Sequence, residues 1–330
     1  MKTFDKQILE KSRYIADKKA DMLVIELLKK YSRQEIHLLM QWLNGSTDKQ
    51  PILKEIDDSL ISFFSETTIP LWADFSKIKN GSSFYKKHEK VVLFLLGTLS
   101  LPYCYAAQKG VQVLYLSQRL KNDTFKRLQE TGEFVIKVSQ FDEKNITEWK
   151  ENILKIRVLH AIARYYVQDK QLWNSDWGMP INQEDMAGTN LSFSYVVLRG
   201  MRKLGIEFTQ TEAESFLHLW NVIGALLGVD EKLLPNTMQE AYWLDKMIVE
   251  KEFRPSLEGK ELTKALINVY KKQNTISWIS NYLIDQMRFL LGKNIADILD
   301  LPLSKVTNPT SLRVSFNFFS NVFLSNTRSK

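Results

Sequence analysis

Apolar residues return every three or four positions along this chain, and few stretches alternate apolar with polar residues for the length of a strand. The first spacing lays an apolar stripe along an α-helix, whereas a half-buried strand needs period two. The sequence therefore predicts an all-α fold. Its 330 residues give length for one large domain or two ordinary ones, and 44% hydrophobic against 25% charged residues supplies a large core and excludes general disorder. No repeat, low-complexity tract or Gly/Ser linker divides the chain. The best boundary is "NGSTDKQP", Asn44 to Pro51, where turn formers meet a proline. It sets an N-terminal helical segment, residues 1–50, packed on a single large helical domain, residues 51–330.

Charge and cysteine usage narrow the function classes. The net charge is +7, but Lys and Arg are scattered among Asp and Glu. No zinc-finger spacing, RNP-like aromatic motif or long basic tract accompanies them, so no nucleic-acid partner is expected. Cys104 is the only cysteine, which excludes an internal disulfide, a cysteine-rich zinc site and covalent CxxCH haem attachment. The first residues lack a secretory apolar region, and the longest apolar stretch, from Val91 to Leu96, is broken by Gly97 and stopped by Pro102. The expectation is a soluble, cytoplasmic protein without a transmembrane segment.

Several helix ends are legible. Asp123 or Thr124 is placed to cap a helix on which Leu128, Thr131, Val135 and Val138 share a face. Thr211 and Glu214 have the spacing of a capping box, with Phe216, Trp220, Ile223 and Leu227 as the buried stripe and Gly228 as the stop. In "PINQED", Asn182 and Asp185 are placed to cap a helix whose apolar face holds Met186, Phe193, Val197 and Leu204.

The residue that raises a chemical question is His160, in "KIRVLHAIARYYV". Trp149, Ile153, Ile156, His160, Ala163 and Val167 are spaced 4, 3, 4, 3, 4 and form one helix stripe. His160 therefore faces inward, with Arg157 and Arg164 near the same side. It is either a core histidine hydrogen-bonded through both nitrogens or a ligand for a metal or haem. One histidine with flanking arginines on an apolar helix suits haem better than a multi-histidine metal site. The other histidines add no metal site: His218 lies opposite the stripe of its helix, His37 is N-terminal, and His88 in "YKKHEK" reads as a solvated turn. HExxH, GxSxG, Walker A and GxGxxG patterns are absent, and Cys104 has no adjacent activating partner.

Six ordered segments carry a resemblance: "PLWADFSKIKNGSSFYKKH", "LSLPYCYAAQKGVQVL", "RLQETGEFV", "RVLHAIAR", "GMPINQEDMAGTNLSFS" and "FLHLWNVIGALLGVDEKLLP". From about Pro70 to Pro235 the chain resembles the haem b-dependent oxygenases of the MpaB and latex clearing protein (rubber oxygenase) family. The resemblance implies an all-α domain with a buried haem pocket between helices. It makes His160 the axial iron ligand, with Arg164, and less directly Arg157, as candidates for pairing haem propionates or holding the helix. It also places Arg127 and Thr131 on the distal side. The corresponding readings without it are a surface ion pair for Arg127 and a tolerated hydroxyl for Thr131.

Two departures bear on the chemistry. Where latex clearing protein has a lysine before the threonine, this chain has Glu130, which is a distal acid or base, an arginine partner or a solvent-facing residue. The rubber-cleaving enzymes also use an acidic residue upstream of the distal arginine, and here no Asp or Glu occurs between Glu89 and Asp123. The caps explain Asn182 and Asp185 without a site, while Thr189 and Phe193 are open to a pocket role. The resemblance thus implies a non-covalent haem b oxygenase acting with dioxygen on an apolar, unsaturated or lipid-like substrate. The alternatives are a non-catalytic haem sensor or carrier, and a cofactor-free interaction protein using the aromatic stretch "VSFNFFSNVF".

Overall fold

Oxygen-bearing side chains begin the first helices. In the computed structural model, Asp5 accepts the Ile8 N–H ahead of α1 (Lys6–Arg13), and Asp17 accepts the Ala20 N–H ahead of α2 (Lys18–Lys30). Ser32 and Glu35 close a capping box on α3 (Arg33–Leu43), and Asp57 caps α4 (Asp58–Glu66). The structure describes residues 2, 4–44, 57–117, 124–273 and 277–303, and every regular element among them is helical. The boundary stretch after Asn44, the capping candidate Asp123 and the aromatic stretch "VSFNFFSNVF" lie outside the described residues.

The apolar run at Val91 does not end where Gly97 and Pro102 suggested. Helix α5 (Phe75–Leu95) passes into a π-turn, Leu96–Ser100, and then directly into α6 (Leu101–Tyr105). Pro102 sits in the first turn of α6, where a missing N–H costs nothing, and the Tyr270 hydroxyl donates to the Gly97 carbonyl at 2.7 Å. His88 is likewise no solvated turn: it is the kinked residue inside α5 (φ −117°, ψ 16°), stacked 4.8 Å from Phe84.

Helix α7 (Val111–Leu116) leads to α8 (Thr124–Ser139) and the long α9 (Ile146–Asp169). The Asn182 side chain caps α10 (Gln183–Phe193) as expected: it accepts the Asp185 N–H at 2.9 Å and donates to the Asp185 carboxylate at 2.8 Å. The helix expected to run on to Leu204 is interrupted at Ser194 (φ −117°, ψ −84°), and α11 (Tyr195–Lys203) follows. The capping box of α12 (Gln210–Leu226) is Thr209 with Glu212, two residues before the expected pair. Gly228 adopts φ +93° just past its end. Helices α13 (Met238–Glu252), α14 (Leu257–Gln273), α15 (Ser277–Leu291) and α16 (Lys293–Ile298) complete the described fold.

The described residues form one helical domain. Helices α5 and α12 are the central pair, and they pack so closely that a Cβ on Gly81 would lie 2.5 Å from the Ser215 carbonyl oxygen. Helix α9 lies between two apolar clusters. Its Trp149 and Ile153 join the main core, while Leu154, Val158, Ala161 and Ile162 pack with Leu23, Leu27, Leu39 and Phe63 of α2, α3 and α4. No helix among the described residues is long and apolar enough to cross a membrane.

Candidate active site

Because α9 is packed on both flanks, its third face decides what His160 meets. Trp149, Ile153 and Val167 at the ends of the stripe are buried, whereas Ile156, His160 and Ala163 in its middle keep partial access. His160 is half-buried, yet burial, reinforced by the charges of Arg164 and Arg127, pushes its pKa down to about 4. The ring is therefore well shielded from bulk water. Its Nδ1 is buried without a hydrogen-bond partner, and no partner for the other nitrogen occurs among the described residues. The doubly hydrogen-bonded core histidine is therefore not what forms. The neutral imidazole that results is the form that ligates metals.

The two flanking arginines are turned toward the N-terminal helices. Arg157 makes a two-armed pair with Asp17, with Nη2 at 2.9 Å, donates to the Leu226 carbonyl and lies over the Phe63 ring. Arg164 is almost fully buried, pairs with Asp21 at 2.6 Å and reaches the Ile181 carbonyl, but its Nη2 is buried and unpartnered. Each guanidinium nitrogen of Arg157 thus has a protein partner, while the Nη2 of Arg164 has none.

On α8, Leu128, Val135 and Val138 are buried and Thr131 is half-buried, as the shared face required. Arg127 pairs with Glu130 at 3.2 Å, and the Thr131 hydroxyl donates to the Arg127 carbonyl at 2.8 Å. The arginine is about one-third exposed, but its positive charge is felt by both His160 and Tyr105. This brings the start of α8 to the same interior as α9 and the end of α6.

Sequence reasoning did not single out Tyr105 or Arg13, and it left Thr189 and Phe193 open to a pocket role. The Tyr105 hydroxyl is held protonated far above its ordinary range by burial. Beside it, the Cys104 thiol is pushed up to about 11 by burial and points 3.2 Å from the Ser192 hydroxyl, in keeping with a structural thiol. Asp185 pairs with Arg13 at 3.0 Å and keeps some access, and burial raises its pKa. Thr189 is exposed in a helix that is otherwise packed, and Phe193 rests on Trp220 with ring centroids 5.4 Å apart. Nothing in the local sequence marks Tyr105 or Arg13, since their partners are remote in the chain. His218 makes a secondary contact, accepting the Asp74 N–H at 2.9 Å beside Trp72, and exposed His37 pairs with Gln41. No group of three or more His, Cys, Asp or Glu among the described residues is placed to hold a metal ion.

The helical domain and the inward-facing His160 agree with what comparison with known families finds, although the His88 Nε2 on α5 is likewise buried without a partner. The model for the catalytic domain of ER-bound oxygenase mpaB/B′ and rubber oxygenase matches residues 90–321. The chain belongs to this family and is an oxidoreductase of the oxygenase type. It is 24% identical over 295 residues to the rubber oxygenase of Streptomyces sp. (strain K30), covering 87% of this chain and 71% of that protein. The solved structure of latex clearing protein LCP in the closed state shares the fold, with a TM-score of 0.76 at 22% identity, over 94% of this chain and 84% of that one.

Proposed function

We propose that this oxygenase uses non-covalent haem b, ligated by His160, to add dioxygen to an apolar, unsaturated substrate. The observation that carries the reading is the imidazole of His160: neutral, facing inward on α9, and with a buried nitrogen that no protein group satisfies. A buried polar atom without a partner is costly, and a bound group that engages the ring removes the cost. The surroundings fit haem in two further ways. Ile156 and Ala163 give the same face an apolar lining, and the spare Nη2 of Arg164 is a donor for a carboxylate such as a propionate. Arg157, with every guanidinium nitrogen bonded to Asp17 or Leu226, holds the helix instead.

When bound, haem supplies the redox and oxygen chemistry; the chain supplies position and polarity. On α8, Arg127 offers a positive charge that acts on His160. Its pairing with Glu130 keeps that charge oriented, and Glu130 is the acidic side chain beside it. Thr131 gives its hydroxyl proton to its own helix, so its oxygen is left as an acceptor. The relative's name, rubber oxygenase, supports an unsaturated hydrocarbon as the substrate class. Cleavage consumes one dioxygen per double bond and leaves two carbonyl groups.

The test is oxygen uptake by the haem-loaded protein with unsaturated chains of increasing length, with carbonyl products counted by mass. Uptake that depends on substrate, and falls about a hundredfold in Arg127→Leu, is expected. A haem-loaded protein that takes up no oxygen with any such substrate would instead be a carrier or sensor.

A further inference from the structure

Two acids of the N-terminal segment reach the helix that carries the site. Asp17 caps α2 and is buried, and its carboxylate takes both arms of Arg157. Asp21, one turn along α2, takes Arg164 at 2.6 Å. Those arginines stand three residues before and four residues after His160, so the two pairs bracket the imidazole along α9. The end of α12 closes over the first pair: a Cβ on Gly228 would collide with the Asp17 carboxylate and lie 2.9 Å from the Arg157 Nε. Beside the pairs, Leu23, Val24 and Leu27 of α2 share an apolar cluster with Leu154, Val158 and Ala161 of α9. All of α1–α4 precedes residues 90–321, where the family's catalytic-domain model matches.

We propose that Asp17 and Asp21 are positioning residues for His160: by pinning Arg157 and Arg164 they fix the imidazole's helix and cancel two cations that would otherwise flank it. The proposal deepens the haem reading and rests on it for its electrochemical consequence. The geometric half stands on the ion pairs alone. Burial makes both halves consequential. Arg164 is 1% exposed, so losing Asp21 leaves a guanidinium in the interior with only the Ile181 carbonyl. That uncompensated charge lies one turn from the ligand, where it disfavours the more positive, oxidised iron. The charge of Asp17 also acts on the imidazole directly.

The experiment uses the full chain as wild type, Asp21→Asn, Asp21→Glu and Asp17→Asn. In haem-free protein, amide exchange over residues 155–167 should be about tenfold faster or more in the Asn variants and near wild type in Asp21→Glu. In haem-loaded protein, the midpoint potential should move positive in Asp21→Asn and return in Asp21→Glu, a rescue that loss of packing alone would not produce. Asp17→Asn serves as the second variant should Asp21→Asn not fold, because Arg157 keeps the Leu226 carbonyl. Exchange and potential both at wild-type values in the Asn variants would overturn the inference. A wild type that binds no haem would sink the functional reading only, and the exchange data would still judge the clamp.

Discussion

His160 ties the chemistry to a measurable stability. The unfolded chain takes up a proton on this ring near pH 6.5, while the folded protein resists until about pH 4. Between those values the unfolded state holds more protons, so stability falls as pH drops from 6.5 toward 4 and is unaffected by this group above 6.5. Denaturant unfolding of haem-free protein should therefore show wild type losing about 2 kcal/mol more than His160→Gln between pH 7 and pH 5. Equal losses would mean that the ring is solvated. The inward direction of His160 was legible because its spacing joins it to five apolar neighbours. The fate of Arg157 and Arg164 was not: their carboxylate partners are 140 and 143 residues away in the chain, and a helix stripe says nothing about what a long side chain bends toward. Glu130, left open among three roles, sits three residues from Arg127 and pairs with it, a contact that helix geometry permits but does not require.

At the scale of elements, periodicity fixed which segments are helical better than it fixed where they stop. The capping box of α12 moved by two residues because "TQTEAE" contains two threonines, each with an acid three residues on, and the buried stripe is compatible with either start. Gly97 and Pro102 looked like breakers, yet the chain absorbs them by widening one turn and starting the next helix at the proline. The gap at Ser194 carries no glycine or proline and was invisible. Close packing of α5 on α12 gives a direct check. Gly81→Ala would press its methyl onto the Ser215 carbonyl, a backbone atom that cannot move aside, and should cost about 1–3 kcal/mol in denaturant unfolding. An unchanged midpoint would mean that the helices separate freely.

For the molecule as a whole, the all-α class was legible from spacing, and the single helical domain from the lack of a linker and from the resemblance, but the way the N-terminal segment joins the rest was not. Arg13 is fully buried among Glu184, Asp185 and Glu252, with Lys251 alongside Glu184. This binds α1 to α10 and α13 across more than half the chain. Arg13→Met removes the buried cation shared by three carboxylates, leaving Lys251 as the nearby lysine, and should destabilise the protein by about 3–5 kcal/mol, read as a lowered unfolding midpoint at pH 7. A small change would mean that α1 is an appendage. The central claim concerns haem and its ligand, and a visible absorption spectrum tests it most directly. Wild type and His160→Ala, expressed with haem supplied, should differ: a strong Soret band in the first, lost or shifted in the second. No band in folded wild type, or the same band in both proteins, would contradict His160 as the ligand of a haem oxygenase.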